Sequence, residues 1–400
     1  MSQSVQYFLN QTAFTATPTA PVEAFSDGAV AAVRPFQAAL AGYVPTPLLH
    51  LDALAGCLGL AALSVKDESR RFGLNAFKVL GASYAVGCIA ARRLGLPLAA
   101  VPAAGHPAGL DGMVLATATD GNHGRAVAWA ARQMGLGCVV RMPRGSSPSR
   151  LANIRAEGAV ADILEMNYDQ AVAATAAEAA AHGWELVQDT AWDGYEEIPQ
   201  RIMQGYTTMV EEARDQLVQA ARPAPTHLFL QAGVGSLAGA ILGRLVAQQG
   251  LVRPRVVVVE AAAADCLFRS ARLGKGGPVT VAGDLATIMA GLACGRPSAT
   301  AWPILRDYAS AFVSCPDSLA ARGMRILGNP LGRDPAVVSG ESGAVTLGLV
   351  VQIMTDPALA ALRRALDLGP ASRVLLFSTE GDTDPARYRD IVWDGVLPAA

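Results

Sequence analysis

From Met113 onward the chain keeps one rhythm. An apolar run of strand length is followed by a short polar or glycine-bearing loop, then a stretch with helical spacing, then the next apolar run. Met113–Ala118, Gly137–Met142, Val160–Glu165 and Glu185–Gln188 read as strands. His123–Met134, Pro148–Glu157 and Asp169–His182 read as the helices between them. A long helix is expected over Pro199–Ala221, and the rhythm resumes with strand His227–Gln231, helix Ser236–Gln249 and strand Arg255–Glu260. Strands joined by helical crossovers pair in parallel, because a tight hairpin returns the chain in the opposite direction. The rhythm therefore demands an α/β fold of open, mainly parallel sheets flanked by helices. Two such lobes with a cleft between them is the economical arrangement for 400 residues.

The remaining segments are less regular. Residues up to Val44 read as polar and irregular apart from a helical stretch near Ser26–Ala41. Tyr43–Leu48 is a proline-stiffened entry to the first lobe, and Leu63–Glu68 a strand running into charged turn residues, with Lys66 a surface lysine at its end. Ala261–Ile304 reads as an irregular, glycine-rich segment suited to lining a cleft or forming a lid. A strand at Ala311–Ser314, helices from Ser318, Ser342 and Pro357, and a last strand at Arg373–Ser378 complete the chain.

Charge and cysteine usage narrow the function classes. A formal net charge of -2 gives no electrostatic case for nucleic acid or an anionic membrane. No apolar run is long enough to span a bilayer, and no basic residue precedes Arg34, so a cytoplasmic location is the default expectation. The six cysteines form no Cys-x-x-Cys pair and do not cluster with histidine, which argues against zinc and for small buried hydrophobes. Cys266 and Cys294 both fall in loop-like sequence, where an approach between them stays open.

Lysine is the rarest choice this chain makes. It has only Lys66, Lys78 and Lys275; every other strong base is arginine. Arginine stays protonated, whereas a lysine in a dry pocket can lose its proton and attack a carbonyl. Lys78 sits in the apolar run Ala76–Leu80 at the start of a helix expected to reach Leu94. Two readings are open there: a chemical amine, or a side chain that snorkels to the surface.

Four loops follow apolar strands, where the carboxyl ends of an open sheet line the ligand crevice. Thr119-Asp120-Gly121-Asn122-His123-Gly124 opens a helix and offers N–H groups to an anion. Asp120 there is either a helix cap or a base aimed into the cleft. Gln231-Ala232-Gly233-Val234-Gly235-Ser236-Leu237 is either a simple tight turn or a phosphate cradle of backbone N–H groups, without the lysine of a nucleotide P-loop. Ser378-Thr379 and the following residues bring hydroxyls able to meet a ring nitrogen, or form a polar turn. Gln188-Asp189 ends another strand, and Asp189 is either a solvated loop acid or a partner for a cationic substrate group. An amine, a phosphate cradle, an anion-binding loop and a ring-nitrogen partner together match the needs of pyridoxal phosphate.

Phe77-Lys78 with Gly81-Ala82, Gly121-Asn122-His123-Gly124, Gly233-Val234-Gly235 and the strand-end Ser378 resemble the fold type II, tryptophan-synthase β-like enzymes. Arg71 to Lys78, Thr119 to Gly124, Gly340 to Ala344 and Ser378 to Asp384 resemble the diaminopropionate ammonia-lyase family in particular, and the similarity runs from about Pro45 to Pro385. The resemblance implies a large cofactor-binding domain formed by residues 1–85 and 196–400, with a small domain, 86–195, inserted in it. It implies that Lys78, beside Phe77, holds pyridoxal 5'-phosphate through a Schiff base and that Asn122 contacts the ring's phenolic oxygen. Gly233, Val234, Gly235, Ser236 and Leu237 would hold the phosphate, and Ser378 or Thr379 would face the pyridine nitrogen. Thr119, Gly121 and His123 would bind substrate with Asp120 and Asp189. Lys78 and Asp120 would be bases on opposite faces, for the L and D isomers, and Asp189 would take the β-ammonium. Elimination would give pyruvate and ammonia. A threonine or serine dehydratase, or an idle binding protein of the same fold, is the alternative; relatives suggest a homodimer.

Overall fold

The structure is a computed structural model that describes residues 4–11, 13–14, 20–103, 107–119, 121–274 and 277–397. Its strands are β1 (Gln6–Leu9), β2 (Leu48–His50), β3 (Ala62–Asp67), β4 (Val114–Ala118), β5 (Gly137–Met142), β6 (Val160–Ile163), β7 (Glu185–Leu186), β8 (His227–Gln231), β9 (Arg255–Ala261), β10 (Ala311–Cys315) and β11 (Arg373–Ser378). They form a seven-stranded sheet in the order β1-β10-β9-β8-β11-β3-β2 and a four-stranded sheet in the order β6-β5-β4-β7. Every pairing in the small sheet is parallel. In the large sheet only the two edges run antiparallel, β1 against β10 and β2 against β3. Central strands such as β9, with Val256 to Val259 in succession, are fully buried. Helices cover both faces of a parallel sheet, so such strands read as continuous apolar runs.

Several expectations needed correction. The short edge strand β1 lies in sequence read as irregular, and β2 begins where the proline-stiffened entry ends, with no strand expected there; at four and three residues they are too short to show a period. Within the segment read as irregular, Cys266–Leu273 is a helix. Its cap comes from the previous strand: the Glu260 carboxylate at the end of β9 accepts from the N–H of Leu267 at 2.8 Å and of Phe268 at 2.6 Å. Burial pushes that carboxyl well above its ordinary range. Pro385–Val392 adds a final helix. Lys66 is not a surface lysine at all. It is fully buried, and its Nζ reaches Glu212 Oε2 and the Thr46 carbonyl, both at 2.6 Å, and Gln216 Oε1 at 3.0 Å.

Lys66 belongs to a closed ionic cluster beneath the cleft. Arg71 donates to both oxygens of Glu68 and both of Glu212, and also to Thr46 Oγ1. Two buried cations thus face two buried carboxylates. The cluster fixes the turn between β3 and the helix that follows Lys78. In that turn Phe72 and Asn75 both take positive φ, of 50° and 61°. The Asn75 carbonyl accepts from Gly381 N–H and its side chain donates to Asp382, which lays this stretch against the turn after β11.

The helix Val79–Leu94 crosses the helix Glu197–Gln219 at almost backbone contact. A Cβ on Gly205 would lie 2.4 Å from the Leu80 carbonyl oxygen, and one on Gly81 would lie 2.8 Å from that of Ile202. Gly205→Ala should therefore destabilise the fold by about 1–3 kcal/mol, despite alanine's better helix propensity, because the opposing atoms are backbone. Chemical denaturation checks this; an unchanged midpoint would contradict it. No single helix among the described residues is long and apolar enough to cross a membrane.

Candidate active site

The carboxyl ends of β4, β7, β8 and β11 and the start of the helix Val79–Leu94 converge on one cavity between the two sheets. It holds about 750 Å³ of space not filled by protein atoms. Lys78 lies at its wall, immediately before the helix Val79–Leu94, with its side chain 18% exposed. Its Nζ pairs with Asp189 Oδ2. Asp189 follows β7, and its other oxygen accepts from the Tyr168 hydroxyl at 3.3 Å and from Gln188 Nε2 at 3.4 Å. Burial alone would raise the Asp189 carboxyl. His123, Lys78 and the hydrogen bonds from Lys78 and Tyr168 outweigh it and hold the group at about 2. Burial also lowers the His123 imidazole, so at neutral pH Lys78 is the charge that keeps Asp189 ionised.

Gln188 ties the two strands that carry these loops. Its Nε2 donates to the Ala118 carbonyl and the Tyr168 hydroxyl, and its Oε1 accepts from Ala118 N–H and Thr117 Oγ1. Just beyond, Thr119 Oγ1 accepts from the N–H groups of Gly121 and Gly124, at 2.9 and 3.0 Å, which curls the loop into the start of the helix Asn122–Gln133. Thr119, Asn122 and His123 line the cavity, whereas Gly121 packs against Arg150 instead. Asp120 lies outside the described residues.

The glycine loop after β8 forms the opposite wall. Gly233, Val234, Gly235, Ser236 and Leu237 all line the cavity. Gly235 caps the helix Ser236–Gln249 at φ 98°, a conformation that favours glycine. The first N–H groups of this 14-residue helix have no partner within it, and Ser236 and Leu237, which carry two of them, line the cavity, as an anion site requires. Gly233 has wall atoms close on its outer side: an added Cβ would lie 3.0 Å from Cys294 Sγ and 3.2 Å from the Gly291 carbonyl. Ser236 Oγ donates to the Asp189 carbonyl at 2.7 Å, joining the cradle to the Lys78 partner. Cys266 and Cys294 both lie close to Gly233, are buried, and are not joined in a disulfide.

After β11, Thr379 faces the cavity while Ser378, although buried, is not among the lining residues. Gln231 Nε2 donates to Thr379 Oγ1 at 2.8 Å, so that hydroxyl keeps its own hydrogen to donate. Phe77 lines the cavity, its ring 4.7 Å from that of Tyr206. Four buried polar atoms on the wall have no protein hydrogen-bond partner: His123 Nδ1, Tyr206 Oη, Gln231 Oε1 and Ser342 Oγ. Such orphans are costly unless a ligand or water meets them. A ligand with a phosphate at one end and polar ring atoms at the other fits them. Tyr206, Gln231, Ser342 and Glu380 were absent from the site expected from sequence. Gln231, Ser342 and Glu380 stand within stretches quoted above, but only the fold shows that these side chains, with Tyr206, face the cavity.

Residues 39–380 match the family model described as pyridoxal-phosphate dependent enzyme, which sets the class. The diaminopropionate ammonia-lyase of Escherichia coli strain K12 is 48% identical over 93% of both chains, and that of Salmonella typhimurium is 50% identical over 91% of both. The crystal structure of the Escherichia coli enzyme in complex with an aminoacrylate-PLP azomethine reaction intermediate superposes with a TM-score of 0.92 at 45% identity, covering 100% of this chain and 99% of that one. The chain belongs to the diaminopropionate ammonia-lyase family of pyridoxal-phosphate dependent enzymes.

Proposed function

We propose that this protein cleaves 2,3-diaminopropionate, in its L and D forms, by pyridoxal-phosphate dependent α,β-elimination to pyruvate and ammonia. The observation that carries the reading is the Lys78–Asp189 pair, its carboxylate buried, in one cavity with the glycine loop that opens the helix Ser236–Gln249. Elimination from a diamino acid needs a base at Cα and an anion near the departing β-nitrogen. Bound pyridoxal phosphate supplies a carbonyl for the substrate amine and an electron sink for the carbanion that forms.

Lys78 would hold the cofactor through its amine, and the same amine would serve as the base that accepts the Cα proton of the L isomer. Asp189, whose carboxyl is held at about 2 with Lys78 beside it, would receive the β-ammonium, a cation in the place of the Lys78 amine. The N–H groups from Gly233 to Leu237 hold the phosphate, Asn122 meets the ring oxygen, and Thr379 donates to the ring nitrogen. Thr119 and His123 surround the substrate carboxylate at the start of the helix Asn122–Gln133, with Gly121 turning the loop behind them. Asp120 takes the proton of the D isomer from the other face. A homodimer, a cytoplasmic location and the division into residues 1–85 with 196–400 and an inserted 86–195 are part of the same reading.

Pyruvate release measured with both diaminopropionate isomers, serine and threonine tests the function. Release from diaminopropionate far above the hydroxy amino acids is expected; the reverse order would make this a dehydratase. Asp120→Asn should cut turnover of the D isomer by roughly 10²-fold or more, the scale of a lost general base, and leave the L isomer much less affected. Equal losses on both isomers would make Asp120 a structural cap.

A further inference from the structure

One carboxylate in the cavity has no role in the reaction described above. Glu380 lies two residues past β11, is 2% exposed and lines the cavity. Its backbone is sewn in on two sides: it bridges to Ala76, two residues before Lys78, and its carbonyl accepts from Gly340 N–H at 2.9 Å. Its side chain accepts twice. Oε1 takes the N–H of Ser342 at 3.1 Å, and Oε2 takes Asn122 Nδ2. The second bond crosses from the large sheet's lobe to the small sheet's lobe, since Asn122 begins the helix after β4.

An asparagine amide is nearly symmetric in shape. Turned by 180°, it presents a carbonyl oxygen where it had presented an N–H pair. Only one orientation suits an ionised ring oxygen, which needs a donor. A carboxylate accepts hydrogen bonds and does not donate them, so Glu380 binds the nitrogen end of Asn122 and rejects the oxygen end. Nδ2 carries a second N–H, which the same choice leaves for the cavity.

We propose that Glu380 is a positioning residue that fixes the orientation of the Asn122 amide, so that Asn122 presents an N–H to the oxygen of the cofactor ring. The inference rests on the reading that Asn122 contacts that oxygen. Glutamine at 380 would break the arrangement without changing its shape. Both present partners of Glu380 are donors, and the backbone N–H of Ser342 cannot turn. Glutamine must then give its oxygen to Ser342 and its NH₂ to Asn122, which flips the Asn122 amide and turns an acceptor toward the ring oxygen.

The absorption spectrum of the holoenzyme reads this directly, as the ratio of the band with an ionised ring oxygen to the band with a protonated one. Glu380→Gln should shift that ratio roughly tenfold toward the protonated form, the scale of a lost hydrogen bond to a charged group. A purely electrostatic role has the opposite sign, because removing a negative charge favours the ionised form. Asn122→Ala, as a control, should shift the ratio the same way, and adding Glu380→Gln to it should produce no further shift toward the protonated form. An unchanged or oppositely shifted ratio in Glu380→Gln, with Asn122→Ala behaving as expected, overturns the proposal. No shift in Asn122→Ala removes the underlying reading, and the proposal with it. Should Glu380→Gln not fold, Glu380→Met gives the same direction with a smaller change, because the amide then loses its orienting acceptor without meeting a donor. No shift in that variant overturns the proposal equally.

Discussion

Replacing Lys78 with alanine should abolish covalent cofactor binding and lower pyruvate release by about 10³-fold or more, since the proposed mechanism makes one side chain both the attachment point and the base. Borohydride reduction followed by washing separates bound from attached cofactor, and the washed variant should show no cofactor absorbance. Retained absorbance would sink the assignment. The variant also leaves Asp189 buried without its cation, with the Tyr168 hydroxyl, Gln188 and, at 3.9 Å, His123 as neighbours. Lys78→Arg separates the two losses. It keeps a positive charge opposite Asp189 but supplies no amine for a Schiff base. It should be as inactive as the alanine variant while restoring more of its stability.

The largest stability effect is expected at Glu212, which holds both buried cations of the cluster under the cleft. Glu212→Gln leaves Lys66 in a fully buried site with no carboxylate at bonding distance, while Arg71 keeps Glu68. Removing one member of a buried ion pair costs roughly 3–5 kcal/mol, so a large fall in the denaturation midpoint is expected. A loss below about 1 kcal/mol would contradict this account. Adding Lys66→Met should recover much of the loss, because the stranded charge leaves with its partner. Burial alone would raise the Glu212 carboxyl, but Arg71 and Lys66 hold it at about 2, below its ordinary 4.5. A lowered folded value means the stabilisation is complete above the ordinary value and fades as pH falls toward 2. The gap between wild type and Glu212→Gln should therefore narrow in acid.

The regular part of the fold was legible because burial on both faces writes parallel strands as apolar runs and helices as spaced ones. β5, β8, β11 and the helix Ser236–Gln249 begin and end where the sequence places them. Elements held by distant partners were not legible. The helix Cys266–Leu273 depends on a cap from Glu260, and β1 on pairing with β10, some 300 residues away in sequence. Lys66 was misread for the same reason. A lone lysine at a strand end looks solvated until Glu212, on a helix far along the chain, is brought against it.

Lys78, the glycine loops and Asp189 were candidates by residue type and place, each with a structural reading beside it until the family resemblance favoured the chemical one. Rare amines, strand-end glycines and carboxylates carry their chemistry wherever they stand, and the sequence rhythm puts strand ends at a cleft. What tertiary structure decided was pairing and direction. It put Asp189 on Lys78, turned Thr379 rather than Ser378 toward the cavity, joined the cradle to Asp189 through Ser236, and set Glu380 on the nitrogen of Asn122. A hydrogen bond depends on distance and angle between groups that the chain order keeps apart, so no spacing in the sequence encodes it. The amine that the chemistry requires was written in the chain; the neighbours that hold it ready exist only in the fold.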